Sequence, residues 1–212
     1  MTKKLAGLLP REEMLAQAIQ FIIESEKLKS IERQTSPVGL LRRENSAEHS
    51  WTLALAATVL IPAVAPDLDQ LRILQMLIIH DLVEIDAGDT FCYGDQTGKV
   101  EREQESAKRL FGILSAGTGK EFHQLWREFE DNKTPEACFA NSLDRLMPLI
   151  QNYHNKGGSW TRHGVTYEQV YDRNRQIQNG PPELWNYTEA LIEAAVNEGL
   201  LPRGPEANTS PN

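Results

Sequence analysis

The stretch Leu71–Glu84, LRILQMLIIHDLVE, constrains this chain more than any other. Ile73 and Leu77 lead, at helical spacing, into His80 and Glu84 rather than into further leucines, and Asp81 is turned about 100° from His80. A helix face that starts as core and ends in an imidazole and two carboxylates is costly to bury uncompensated. A bound cation compensates all three groups at once. Further ligands are therefore expected on helices that pack against this one.

The rest of the chain supplies such helices. Arg11–Ser30 reads as an amphipathic helix with Met14, Ala18, Phe21, Ile22 and Leu28 on one side, followed by a loop over Ile31–Asn45 that carries Arg33, Arg42 and Arg43. Ser46 is placed to cap a helix over Ala47–Ala63 whose inner line is His49, Leu53, Ala56 and Leu60. Asp67 and Gln70 suggest a capping box for the central helix, which is expected to end near Ile85. Further helices are predicted over Lys99–Ala116, from Thr118 with Glu121 to about Asp131, and from Thr134-Pro135 to about Asn155. The last of these carries Asp144 beside the apolar stripe Phe139, Leu143, Leu146 and Ile150. Thr166 with Gln169 opens a helix over 167–178, and another covers 183–199. With no alternating strand pattern of useful length, the chain reads as all-α: a single domain over 1–200 and a disordered tail over 201–212.

Composition narrows the function classes. A net charge of −8 argues against a nucleic-acid polymer as partner, which needs a basic surface. No apolar run reaches the roughly 18 residues that span a bilayer, and the N-terminal apolar segment is too short for a signal peptide, so a cytoplasmic chain without a membrane partner is expected. Cys92 and Cys138 are too few and too far apart for a thiolate zinc site or a disulfide framework.

His49, the His80-Asp81 pair and Asp144 thus fall on three predicted helices, each turned toward a core face. Any one of them alone reads as structural. Together, on otherwise apolar faces, they suit a divalent first-row cation with open positions for water. The order His … His-Asp … Asp resembles the HD-domain superfamily of metal-dependent phosphohydrolases. NSAEHS at 45–50, HDLVEIDAGD at 80–89 and SLDRL at 142–146 resemble in particular its branch of 5′-deoxynucleotidases and HD-domain-containing protein 2.

The resemblance implies an HD-domain helical bundle in which His49, His80, Asp81 and Asp144 hold one divalent metal ion (Mn, Co, Ni, Zn, Fe or Mg). It further implies catalytic roles for Glu84 and Asp89 near the scissile phosphate, with Arg33 binding that phosphate. Glu84 lies one turn from His80, where a carboxylate can orient or deprotonate an attacking water. The implied activity is hydrolysis of (deoxy)nucleoside 5′-monophosphates to nucleoside and phosphate. The alternatives are another phosphate ester, a nucleoside triphosphate, or a catalytically silent, metal-pinned binding module. Gln34 follows Arg33 where some members of the branch carry a large aromatic, which leaves the choice between deoxyribose and ribose open. Homodimers occur among related proteins, and Trp160, Trp185 and Tyr187 are expected as exposed aromatics compatible with such pairing.

Overall fold

The computed structural model describes residues 12–204. Among them the chain forms helices throughout, and the only extended pairing is one antiparallel bridge between Glu32 and Asn45. In chain order the helices are α1 Glu13–Ser25, α2 Ser46–Val64, α3 Gln70–Ile79, α4 Glu84–Ala87 and α5 Lys99–Phe111. They continue as α6 Ala116–Asp131, α7 Pro135–His154, α8 Gly158–His163, α9 Tyr167–Asn174 and α10 Pro182–Asn197. Single 3₁₀ turns extend α1 (Glu26–Ser30), join α3 to α4 (His80–Val83) and follow α9 (Arg175–Asn179). The all-α expectation holds.

The bundle is built around α7. Thr134 accepts a hydrogen bond from the Ala137 amide and Pro135 fills the first helical position, so the helix starts where the sequence places it. Its stripe of Phe139, Leu143 and Leu146 is buried, and α2, α3, α6 and α10 all pack on it. Helices α2 and α3 form a hairpin against it, bringing the inner line His49, Leu53, Ala57 and Ile61 of α2 alongside Ile73, Met76 and Leu77 of α3.

Several local expectations shift by a residue or two. The cap of α2 is Asn45, not Ser46: Asn45 and Glu48 form a reciprocal capping box, and Ser46 becomes the first helical residue. Asp69, not Asp67, caps α3, accepting from the Arg72 amide. Ser115 precedes α6, and its hydroxyl lies 3.0 Å from that of Thr118. Helix α5 ends at Phe111, short of Ala116. The Thr166-Gln169 box of α9 is as expected.

Residues 201–204, the start of the expected tail, pack on the fold. Leu201 is buried, the Tyr167 amide donates to the Pro202 carbonyl at 2.8 Å, and the Arg203 guanidinium lies 4.1 Å over the Tyr167 ring. Residues 205–212, the remainder of the expected tail, and residues 1–11 lie outside the described residues.

Two aromatic expectations are corrected. Trp160 and Trp185 are core residues, 1% and 9% exposed, because each lies on the buried face of its own helix, α8 and α10, whereas Tyr187 is half exposed. Trp51, Leu55 and Val59 instead form an exposed line on α2. That helix, Ser46–Val64, is by length and composition apolar enough to cross a bilayer, where no such run was expected. In the fold its opposite side is buried in the bundle.

Candidate metal centre

The central helix does not run evenly to Glu84. At His80 it tightens into a 3₁₀ turn over His80–Val83 before the short helix α4 resumes. Successive side chains of such a turn point in different directions, and since His80, Asp81, Leu82, Val83 and Glu84 are all buried, the turn is enclosed on every side. Gly88, at φ +76°, then ends α4 in a conformation that suits glycine, and Asp89 follows along the wall of a cavity.

His49 on α2 and Asp144 on α7 meet this turn. Asp144 Oδ1 lies 2.9 Å from His49 Nε2 and 3.7 Å from His80 Nε2, and Asp81 Oδ1 lies 3.2 Å from His80 Nε2. Ligand atoms of His49, His80 and Asp81 fall within 4.8 Å of one another. The four residues assigned as ligands by resemblance are therefore brought together.

One detail decides what this cluster can hold. His80 Nδ1 lies 3.0 Å from the Leu77 carbonyl, so the ring donates there and turns Nε2 toward the carboxylates. Nε2 is buried and has no hydrogen-bond partner. A bare lone pair facing two carboxylate oxygens is repulsive unless a proton or a cation lies between them. In the ion-free protein a proton takes that role: burial opposes protonation of His80, but Asp81 and Asp144 outweigh it and push the imidazole up to about 9. Burial also acts to raise the Asp144 carboxyl, yet the His49 and His80 rings hold it well below its ordinary value. A divalent cation would satisfy the same atoms more fully, so this donor set fits a metal.

Arg33 reaches the cluster from the loop before α2. The Arg33 amide donates to the Glu44 carbonyl at 3.0 Å and the Glu44 amide donates to the Thr35 carbonyl at 3.1 Å, zipping the loop into a hairpin. Asn155, at the end of α7, anchors it by donating to the Ser36 carbonyl at 2.9 Å. Arg33 Nη1 then donates to Asp81 Oδ2 at 2.9 Å and lies 4.0 Å from Glu84 Oε1. The two oxygens of Asp81 are thus divided, Oδ1 toward the histidine and Oδ2 toward the guanidinium.

Glu84 Oε2 accepts from the Ser46 hydroxyl at 2.6 Å. Burial and the nearby Asp81 raise its carboxyl well above the ordinary range, against the pull of Arg33. Asp89 is raised too, by burial first and by Asp81 against Arg33.

Asp81, Glu84, Asp89 and Asp144 line a cavity of about 130 Å³, together with Arg33 and Gln34. Gln34 is tied to α8: its carbonyl accepts from Arg162, and its Oε1 lies 3.1 Å from His163 Nε2.

Glu44 was not singled out in the sequence. It is 1% exposed, accepts from Thr35 at 2.6 Å and Gln151 at 2.7 Å, and faces both Arg33 Nε at 3.5 Å and His49 Nδ1 at 3.6 Å. Tyr93, Trp160, Arg145 and Arg173, which also line the cavity, were not read as site residues either. His123 packs between Phe111 and Trp126, away from the cluster.

A model of the HD domain matches residues 25–185. The chain belongs to the HD-domain family. This HD domain is 44% identical to a protein from Magnetospirillum magnetotacticum described as a predicted metal-dependent phosphohydrolase. The alignment covers 92% of this chain and 99% of that one, with a TM-score of 0.87. It is 29% identical to the 5′-deoxynucleotidase HDDC2 of Dictyostelium discoideum over 168 residues, 74% of this chain and 87% of the relative. Against the human 5′-deoxynucleotidase HDDC2 it is 30% identical over 114 residues, 52% of this chain, and spans about half (53%) of that protein's length. HD phosphohydrolases are metal-dependent, and the His/Asp cluster found here is a place where such an ion can be held.

Proposed function

We propose that this HD domain hydrolyses phosphomonoesters with one divalent cation held by His49, His80, Asp81 and Asp144. We further propose that (deoxy)nucleoside 5′-monophosphates are its substrates. The observation that carries the reading is the unpartnered, buried Nε2 of His80, aimed at Asp81 and Asp144 beside a cavity. Relatives that share the fold are named 5′-deoxynucleotidases, which supports the substrate class.

When bound, the cation supplies Lewis-acid polarisation of the phosphoryl oxygen and lowers the pKa of the attacking water. Glu84 sits at the cavity wall with one oxygen fixed by Ser46, leaving the other to orient that water and accept its proton. The raised proton affinity of Glu84 suits this task, because a strongly acidic carboxylate would hold no proton near neutral pH. Asp89 lines the same cavity and supports the water's position. Arg33, held by Asp81 and flanked by Glu44, offers its guanidinium to the cavity, where it binds the phosphate and stabilises charge in the transfer. Gln34 is fixed to α8 beside it and borders the space left for the sugar.

The test is phosphate release from a panel of nucleoside mono- and triphosphates crossed with Mn²⁺, Co²⁺, Ni²⁺, Zn²⁺ and Mg²⁺. Orthophosphate and nucleoside from the monophosphates are the expected products. Release of pyrophosphate or triphosphate, or no turnover despite stoichiometric metal binding, would overturn the reading.

A further inference from the structure

The cavity beside the candidate metal centre has cationic lining besides Arg33 and Lys99. Arg145, on α7 immediately after Asp144, and Arg173, on α9, both line it together with Tyr93 and Trp160. Arg33 has Glu44, Asp81 and Glu84 within 4.0 Å. By contrast, the ion pairs among the described residues include none for Arg145 or Arg173; the remaining arginine pairs involve Arg42, Arg72, Arg109, Arg175 and Arg203.

The bonds that Arg145 does make leave its charge uncompensated. Nη1 donates to the Arg173 carbonyl at 2.7 Å and Nη2 to Gln176 Oε1 at 2.8 Å, both neutral acceptors. Its Nε is buried with no hydrogen-bond partner. Burial and the neighbouring Arg173 hold Arg145 below its ordinary value, the direction expected of a guanidinium short of counter-charge. As a strut Arg145 pins the 3₁₀ turn Arg175–Asn179 to α7, which accounts for its two hydrogen bonds. A strut does not account for a second arginine side chain lining the same cavity. Arg145 and the exposed Arg173 line one cavity and disfavour each other's charge, a repulsion that an anion between them relieves.

We propose that Arg145 and Arg173 form a subsite for a second anionic group, so that the preferred substrate is a nucleotide carrying another phosphate besides the one hydrolysed. The inference rests on the proposed phosphomonoesterase reading and narrows its substrate class. A neutral base carbonyl beside these arginines would leave both charges unanswered, whereas a phosphate matches the planar fork of each guanidinium. Tyr93, half-buried at the same cavity, supplies aromatic surface for the nucleoside between the two anions.

The experiment compares 2′-deoxyadenosine 5′-monophosphate with 2′-deoxyadenosine 3′,5′-bisphosphate on the full chain and on Arg173→Gln, in the same metal. The substitution spares the strut, since only the backbone carbonyl of Arg173 takes part in it. Wild type is expected to show a KM about tenfold lower for the bisphosphate, the size of one charge-assisted contact. Arg173→Gln should erase that advantage while leaving kcat and KM for the monophosphate within about twofold, as expected of a contact made only to the second group. Equal KM values in wild type, or an advantage that survives Arg173→Gln, would overturn the subsite while leaving the phosphomonoesterase reading standing. Hydrolysis of neither nucleotide would sink the phosphomonoesterase reading instead. Calorimetry on the metal-free chain then decides the subsite: tighter bisphosphate binding that Arg173→Gln abolishes supports it, and equal binding of the two nucleotides refutes it.

Discussion

Glu84→Gln is expected to lower phosphate release by about 10²–10⁴-fold, the range for losing a positioned general base, while metal content stays at that of wild type. The amide is isosteric, and its oxygen still accepts from the Ser46 hydroxyl, 2.6 Å away in the native protein. Glu84 is not one of the four proposed ligands, His49, His80, Asp81 and Asp144, so the proposed donor set survives the change. Folding should not suffer. Burial and Asp81 already disfavour the Glu84 carboxylate, and glutamine removes that charge, so Tm is expected to hold or rise slightly. Phosphate release, elemental analysis and thermal unfolding on one preparation check all three. Full activity in the metal-replete variant would remove Glu84 from the mechanism.

Asp144→Asn is expected to weaken divalent-metal binding by more than about 100-fold, because on the proposed assignment it removes a ligand rather than a group supporting one. Its Oδ1 lies 2.9 Å from His49 Nε2 and 3.7 Å from His80 Nε2, so a single carboxylate serves both imidazoles. The metal-free protein reports the same change through pH. His80 is raised from 6.5 to about 9, so its protonation contributes stability that is complete below about 6.5 and is lost as the pH rises through about 9. Asp144→Asn removes one of the two carboxylates that raise it and should flatten this slope. An NMR titration of the His80 ring, alongside denaturant midpoints at several pH values, measures both effects. Unchanged metal affinity in the variant would exclude Asp144 from the ligand set.

The convergence of the proposed ligands was legible because each interrupts an apolar stripe. His49 precedes Leu53, His80 follows Ile73 and Leu77, and Asp144 sits beside Leu143, so helical spacing alone aimed them at the core. The 3₁₀ turn at His80 was not legible, because residues three apart share a face in both helix types and the apolar pattern fits either. Adjacent cap-competent residues were ambiguous for a tertiary reason. The Ser46 hydroxyl is taken by Glu84, thirty-eight residues away, which leaves the cap to Asn45. Glu44, Arg145 and Arg173 carry no local signal that separates them from surface charges. Glu44 is buried only because the Arg33 hairpin folds onto α7, where Gln151 meets it. Trp160 gave no cue to burial, since the six-residue helix α8 around it is too short for an apolar period, whereas Trp185 had one in the line Trp185, Thr188, Ile192 and Ala195 of α10.

Anomalous diffraction from crystals of the full chain grown with Mn²⁺ or Co²⁺ tests the central claim most directly. One peak per chain is expected at about 2.0–2.2 Å from donor atoms of His49, His80, Asp81 and Asp144. Crystals replete in metal that show no peak among these four side chains, with His80 Nε2 still facing the carboxylates through a proton alone, would contradict it.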